Sequence, residues 1–270
     1  MKIAVQLGLI PGASVADKQK WALDNAVDGI EISAWDYPVD KIDQARRDFA
    51  DSRVPVSSIC GNSSFDFLDP EPRKRRASVD QCKQYLKLAG ELKAVGQIVP
   101  PIFGGPRLPD LSPLKGAIEL EQDLLVETCK ELGDVAQAAG TLFLLEPLNR
   151  YEEHLLKTQD AGVQIITRSG HPAVALISDF FHMHIEETST PEALRQAGRH
   201  VRHMHLADNT RMEPGTGDID FVAAFKVLLE IGFSGYMAFE CGISGADKDA
   251  SLKKSLAYVR GCIAKARAAR

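Results

Sequence analysis

A short apolar run rich in Val, Ile, Leu or Phe, then a loop, then a longer amphipathic segment: this unit recurs eight times along the 270-residue chain and leaves few folds open. The strand-like runs lie at 3–7, 29–33, 55–60, 97–100, 141–146, 173–179, 201–206 and 236–240. Most are apolar at both odd and even positions, as parallel strands covered by helices must be. Helical patterns with apolar residues at three- and four-residue steps occupy 14–25, 39–52, 72–92, 118–139, 160–168, 191–197, 221–231 and 248–266. Thr158 and Asp220 read as N-caps, and Gly140, Gly170 and Gly232 stand where a left-handed residue closes a helix. Eight strands alternating with eight helices, with no break in composition, predict a single (β/α)8 TIM barrel domain over residues 1–270. A doubly wound open sheet is the lesser alternative.

Composition narrows the function. A chain that is 44% hydrophobic and 26% charged has material for a large core and is not disordered. Its net charge of −5 offers no basic surplus for a phosphate backbone, so a small substrate is expected and nucleic acid is not. No apolar run reaches bilayer length, which excludes a membrane span. The opening MKIAVQL has neither a basic n-region nor an apolar h-region, and the five cysteines are odd in number and lack a C-x-x-C pair. A cytoplasmic protein with reduced thiols is expected.

In a parallel barrel the chemistry gathers where strands exit, and four of the eight runs end there in metal-ligand residue types. LFLLE closes on Glu146, ALISD on Asp179, VRHMH on His205 and YMAFE on Glu240. Burying a carboxylate at the end of an apolar run is costly unless a cation or a strong hydrogen-bond partner compensates. Taken singly, each residue reads as a cap, an ion-pair partner or a solvated loop position. On four consecutive strands they read as one shared cation site. Three carboxylates and one imidazole favour Mn²⁺ or Mg²⁺ and accept Co²⁺ or Zn²⁺.

The segments EPLNRYE (146–152), DFFHMHIEE (179–187), HMHLADNTR (203–211) followed by PGTG (214–217), and FEC (239–241) resemble the xylose isomerase-like TIM barrels of the sugar phosphate isomerase and epimerase group. The likeness is strongest to the D-tagatose 3-epimerase and hydroxypyruvate isomerase branch and spans nearly the whole chain. It implies one divalent metal on Glu146, Asp179, His205 and Glu240, with substrate contacts from His182, Arg211 and Glu152. It also implies a ketose or keto-sugar substrate, epimerase or isomerase chemistry, and homodimers or homotetramers. In that chemistry the cation stabilises a developing enediolate, while Glu146 and Glu240, on strands separated by two others, serve as acid and base from different sides. A lyase of the same fold, of the keto-inositol dehydratase or carbon-glycoside-cleaving type, is the alternative. An endonuclease IV-like nuclease and a non-catalytic sugar-binding barrel follow it.

Weaker signals remain. His203 shares a strand face with His205 one layer deeper, as a ligand support or a core histidine. His182 and Arg211 are expected in exit loops, and Glu152 competes between a substrate contact and a surface salt bridge. His184 departs from the Asn often found in the branch, and Pro147 biases Glu146 toward extended backbone. Trp35, Phe65 and Phe103 are candidates for the pocket wall. The segment 100–113, with five prolines and two glycines, is excluded from helix and reads as a lid or a rigid connector. Arg73–Arg76 reads as a solvated helix face, 214–217 as a turn or a weak phosphate cradle, and Cys60 and Cys241 as small buried hydrophobes.

Overall fold

The computed structural model describes residues 1–61 and 65–269. Strands β1 (Lys2–Gln6), β2 (Gly29–Ser33), β3 (Val56–Cys60), β4 (Gly96–Val99), β5 (Leu142–Leu145), β6 (Val174–Asp179), β7 (Val201–Leu206) and β8 (Tyr236–Phe239) pair in chain order into a closed parallel barrel. β8 returns to β1 with Lys2 opposite Tyr236 and Ala4 opposite Ala238. The (β/α)8 TIM barrel expected from the sequence is therefore the fold.

Nine α-helices are found among the described residues: α1 (Val15–Asp24), α2 (Ile42–Phe49), α3 (Pro72–Glu91), α4 (Ala117–Ala139), α5 (Gln159–Ser169), α6 (Phe180–Glu186), α7 (Thr190–Ala197), α8 (Phe221–Glu230) and α9 (Lys248–Ala268). Thr158 and Asp220 do cap α5 and α8, accepting from the N–H groups of Ala161 and Ala223. Gly140 and Gly170 close α4 and α5 at φ of 71° and 63°, the left-handed region where a Cβ is penalised. Two expectations change. The pattern at 39–52 divides into a 3₁₀ turn, Val39–Lys41, and the shorter α2. The extra helix is α6, which leaves β6 directly because the Asp179 carboxylate accepts the Phe181 N–H at 2.7 Å and so caps it.

Most of the core lies between the sheet and the helices, where Phe143, Phe180, Phe225 and Phe239 are fully buried. A smaller cluster of Ile98, Leu144, Ala175 and Ile177 packs separately. Period-two alternation gives Leu144 the same strand face as Glu146 and Ile177 the face of Asp179, which is the inside of the barrel. The inner face thus changes from apolar to ionisable toward the strand exits.

Two register irregularities set up that polar end. Between β2 and β3 the pairing passes from Ile30–Val56 to Glu31–Ser58, so Ser57 is the extra residue. Between β6 and β7 it passes from Leu176–Val201 to Ile177–His203, with Arg202 extra. The first bulge puts Ser58 opposite Glu31, and the second puts His205 opposite Asp179.

The segment 100–113 is irregular, as its prolines require, and is strapped at its middle. Glu121, fully buried on α4, accepts the N–H groups of Arg107 at 2.6 Å and Leu108 at 3.2 Å, and its other oxygen lies 2.5 Å from His154 Nε2. That is the behaviour of a fixed connector. The glycines at 215 and 217 belong to a turn around Asp208, whose carboxylate accepts the N–H groups of Asn209, Gly215 and Ile219. The Gly215 N–H is thus spent internally, which favours the reading of 214–217 as a turn. Arg76 pairs with Glu131 at 2.6 Å on the open face of α3, as the charge run suggested. No helix among the described residues is long and apolar enough to cross a membrane.

Candidate active site

Glu146, Asp179, His205 and Glu240 converge at the strand exits, with one potential ligand atom from each lying within 4.8 Å of all the others. Asp179 ends β6 and His205 stands next to last in β7. Glu146 and Glu240 lie one residue beyond β5 and β8, yet their N–H groups still reach Val99 O and Leu206 O at 3.2 Å, so both remain anchored to the barrel. His205 is the hub. Its Nδ1 is 2.9 Å from Glu240 Oε2, 3.1 Å from Glu146 Oε1 and 3.6 Å from Asp179 Oδ2.

Glu31, which the sequence motifs do not mark, joins the cluster. Fully buried on β2, it accepts from His205 Nε2 at 3.0 Å through Oε1 and from Ser58 Oγ at 2.6 Å through Oε2. His203 Nε2 also meets Oε2 at 2.9 Å, and Gln6 Nε2 reaches Oε1 at 3.0 Å and Glu240 Oε1 at 3.1 Å. His203 therefore sits one layer deeper than His205 and steadies the carboxylate that steadies His205. A carboxylate on one imidazole nitrogen fixes the ring and presents the other nitrogen to the cluster. Glu31→Gln is expected to weaken divalent-metal binding roughly 10- to 100-fold, measured by competition with a chelating dye. Unchanged affinity would remove Glu31 from this role.

Charge explains why these groups tolerate each other. Burial opposes ionisation at every carboxyl here, but Arg211 and the histidines outweigh it at Asp179 and hold that carboxyl well below the usual range. His205 and Arg211 likewise hold Glu240 down, whereas burial dominates at Glu146 and raises it. Burial alone would lower His205, yet Glu240, Glu31 and Glu146 together push it well up. Arg211 bonds Asp179 Oδ2 through Nη1 at 2.5 Å and Glu240 Oε2 through Nη2. Four carboxylates, Glu31, Glu146, Asp179 and Glu240, thus face two cationic side chains. The excess of negative charge in a nearly closed barrel end fits a divalent cation, and the oxygen-rich donor set fits a hard or borderline one.

Glu146 and Glu240 of the cluster, with Arg211, line a cavity of about 270 Å³ whose wall also includes Gln6, Trp35, Cys60, Phe103, Leu148, Glu152 and His182. His182 is on α6, where an exit loop was expected; the Asp179 cap starts the helix immediately. Its Nδ1 accepts the Asn149 N–H at 3.2 Å, which leaves Nε2 carrying the proton, 3.9 Å from Asp179 Oδ2. Glu152 accepts from Asn149 Nδ2 at 2.8 Å and has no arginine partner among the described residues, where Arg150 pairs with Glu186. Arg211 sits in the exit loop at a positive φ of 60°. Of the three wall candidates, Trp35 and Phe103 line the cavity, while Phe65 is buried against Phe67 and Tyr85. An aromatic residue in a loop carries no sequence mark of which way it turns. Cys60 reaches Glu240 Oε1 at 3.6 Å, and burial raises its thiol far above the usual value, as suits an inert thiol.

Beside this site Glu153 is buried, with Oε1 taking the Leu156 N–H and Oε2 lacking a partner among the described residues. Burial lifts its pKa well above 4.5. Between those values the folded chain holds a proton that the unfolded chain releases, so this group's contribution is full below about pH 4.5 and is lost as pH rises. Glu153→Gln is expected to raise stability by about 1–3 kcal/mol at neutral pH and by little near pH 4, read from melting temperatures across that range. A constant difference would contradict it.

A family model described as xylose isomerase-like TIM barrel matches residues 20–262. The chain is 29% identical to the 3-dehydro-D-guloside 4-epimerase of Escherichia coli K12 over 264 residues, which are 97% of this chain and 100% of the relative. It is 39% identical to the D-psicose 3-epimerase of Ruminiclostridium cellulolyticum over 115 residues, 43% of this chain and 39% of that one. Among solved structures, the apo form of 3-keto-D-glucoside 4-epimerase from E. coli gives a TM-score of 0.86 at 29% identity, covering 97% of this chain and all of the other. The D-psicose 3-epimerase from Clostridium cellulolyticum H10, solved with D-tagatose, shares the fold at 0.83 and 23% identity, covering 97% and 99%.

Proposed function

The chain belongs to the xylose isomerase-like TIM barrel family, and we propose that it acts, as one domain, as a divalent-metal-dependent epimerase of a ketose or keto-sugar. The observation that carries this reading is that Glu146 and Glu240, from strands on different sides of the barrel, border the same cavity beside His205 and Asp179. Glu146, Asp179, His205 and Glu240 are the residues that would hold the cation. When bound, the cation supplies positive charge next to the sugar carbonyl and so acidifies the adjoining C–H.

The rest is the work of the side chains. One of Glu146 and Glu240 removes the carbon-bound proton, and the other returns a proton to the opposite face of the now planar carbon. Their roles exchange in the reverse reaction. His182 donates from Nε2 to a sugar oxygen, held for that by the Asn149 N–H on its other nitrogen. Glu152 accepts from a sugar hydroxyl, and Arg211, beside Glu240 and Asp179, hydrogen-bonds the oxygen next to the reacting carbon.

The test is incubation of metal-loaded protein with keto-sugars in deuterated water. Incorporation of one deuterium per turnover, with inversion at a single carbon, is expected. Loss of water or of an aglycone in place of a sugar epimer would instead mark the lyase alternative.

A further inference from the structure

The strand-entry end of the barrel carries a second cavity, of about 500 Å³, that shares no residue with the carboxylate site. Its apolar side is Ile166, Pro172, Val174 and Ala175, from the end of α5 and the start of β6. Its polar side holds Arg199, His200 and Arg202, from the 3₁₀ turn Gly198–His200 and β7. Ala175 shares a strand face with Asp179 at the far end of β6, about 13 Å along the strand, so the two cavities lie at opposite ends of the barrel. A neighbouring hollow of about 310 Å³ beside Gly232 and Gly235 also has Arg199 and Arg202 in its wall, and neither wall contains an Asp or Glu. In a chain of net charge −5 that is a local reversal of sign.

The fold makes no use of these cations. Arg46, Arg76, Arg150 and Arg195 each pair with a carboxylate. Arg199, His200 and Arg202 make no side-chain hydrogen bond and no ion pair among the described residues. His171, on the same wall, is already engaged, its Nδ1 taking the Ala173 N–H at 3.1 Å and its Nε2 facing Asp134 at 3.2 Å. Cations often gather at helix C-termini, where carbonyls lack partners. Here the Gly170 N–H meets Ile166 O and Thr167 O, and the Gly198 N–H meets Leu194 O, so glycine N–H groups close α5 and α7. Arg202 is moreover the extra residue of the bulge between β6 and β7. β7 is buried at every position except this one, so the irregularity turns a guanidinium out of the sheet and onto the cavity wall. Burial first, then the Arg199 charge, hold the His200 imidazole below its ordinary pKa, the mark of a positive potential that an anion would relieve.

The volume lies within the roughly 300–1,000 Å³ of small-molecule sites. Two guanidinium forks carry more charge than one carboxylate offsets, and they match a phosphate monoester, which holds about −1.5 to −2 near neutral pH. We propose that this cavity binds a phosphorylated small molecule, its phosphate held by Arg199, Arg202 and His200 and its apolar part lying against Ile166, Pro172 and Val174. The site stands independently of what the carboxylate cluster does.

The test is calorimetric titration of the native chain, at constant ionic strength, with phenyl phosphate, inorganic phosphate and benzoate, each with and without Mg²⁺. Saturable binding of phenyl phosphate without Mg²⁺, tighter than that of inorganic phosphate, is expected, with no binding of benzoate. The C2 proton of His200, assigned by its loss in His200→Gln, should shift over the same concentration range. Arg199→Gln and Arg202→Gln remove exposed side chains and leave the packing intact. Each should weaken phenyl phosphate binding roughly tenfold or more, with Arg202→Lys falling between native and Arg202→Gln. Binding that requires Mg²⁺ and survives both substitutions belongs to the carboxylate site and overturns the proposal, as does the lack of saturable binding by any of the three compounds. Benzoate binding as tightly as phenyl phosphate overturns the phosphate assignment, and equal affinity for the ester and inorganic phosphate overturns the role of the apolar wall. None of these outcomes bears on the epimerase reading, which the deuterium experiment tests separately.

Discussion

Glu240→Gln is expected to cut epimerisation by about 10²- to 10⁴-fold while sugar binding persists. Glutamine keeps the length of the side chain and an oxygen that can still accept from Gln6 Nε2 at the position of Oε1. It also keeps the cavity wall intact, so a bound sugar meets nearly the same surface. What it lacks is a carboxylate that can take and return a proton. Glu146→Gln should show the complementary defect. If the two carboxylates serve opposite faces, each variant retains exchange of the carbon-bound hydrogen with deuterated water from one epimer at most, and the surviving epimer differs between them. Calorimetric binding, deuterium incorporation and metal content measured on the same samples separate loss of acid–base chemistry from loss of the ion, since both residues also belong to the ligand cluster. Wild-type turnover in Glu240→Gln, or the same surviving epimer in both variants, would sink the two-carboxylate assignment.

The barrel was legible because its signal is repetitive and local: eight runs of the right length, each followed by an amphipathic helical pattern, leave little else to build. The four cluster residues were legible because each interrupts an apolar run at its exit end. Glu31 breaks an apolar run as well, but in the middle of the five-residue GIEIS, where alternation with Ile reads as an outward-facing charge. Its buried partner Ser58 stands opposite it because of the bulge at Ser57, a property of the pairing between two strands that no single segment records. The same holds for the second bulge, which brings His205 level with Asp179. Helix α6 escaped notice because seven residues are too few for a 3.6-residue period to show, and its start depends on a carboxylate also counted as a ligand. The Pro-Gly-Thr-Gly turn looked open to phosphate because sequence does not reveal that Asp208 already takes the Gly215 N–H.

Removing Arg211 is expected to make the protein depend on its metal for stability far more than the native chain does. The guanidinium holds Asp179 and Glu240 together, and Asp179 is wholly buried. Deleting one partner of a buried ion pair costs about 3–5 kcal/mol; partial exposure of Arg211 at the cavity brings this to about 2–3 kcal/mol for Arg211→Ala, or roughly 4–12 °C in melting temperature for a chain of this size. A cation bound to the same carboxylates supplies the missing positive charge. At a free concentration about a hundredfold above its Kd it stabilises either protein by about 2.7 kcal/mol if affinity is equal. Affinity should not be equal, because in the native chain the cation competes with both Arg211 and His205 for Asp179 Oδ2 and Glu240 Oε2, while in Arg211→Ala it competes with His205 alone. The rise in melting temperature on adding Mn²⁺ to chelator-treated protein should therefore be several degrees larger in the variant than in the native chain, although the variant starts lower. Arg211→Lys, which keeps the charge and loses the two-pronged geometry, should fall between them. Equal rises in all three proteins would mean that the cation and the guanidinium do not share these carboxylates, and that the ion, if bound, sits elsewhere.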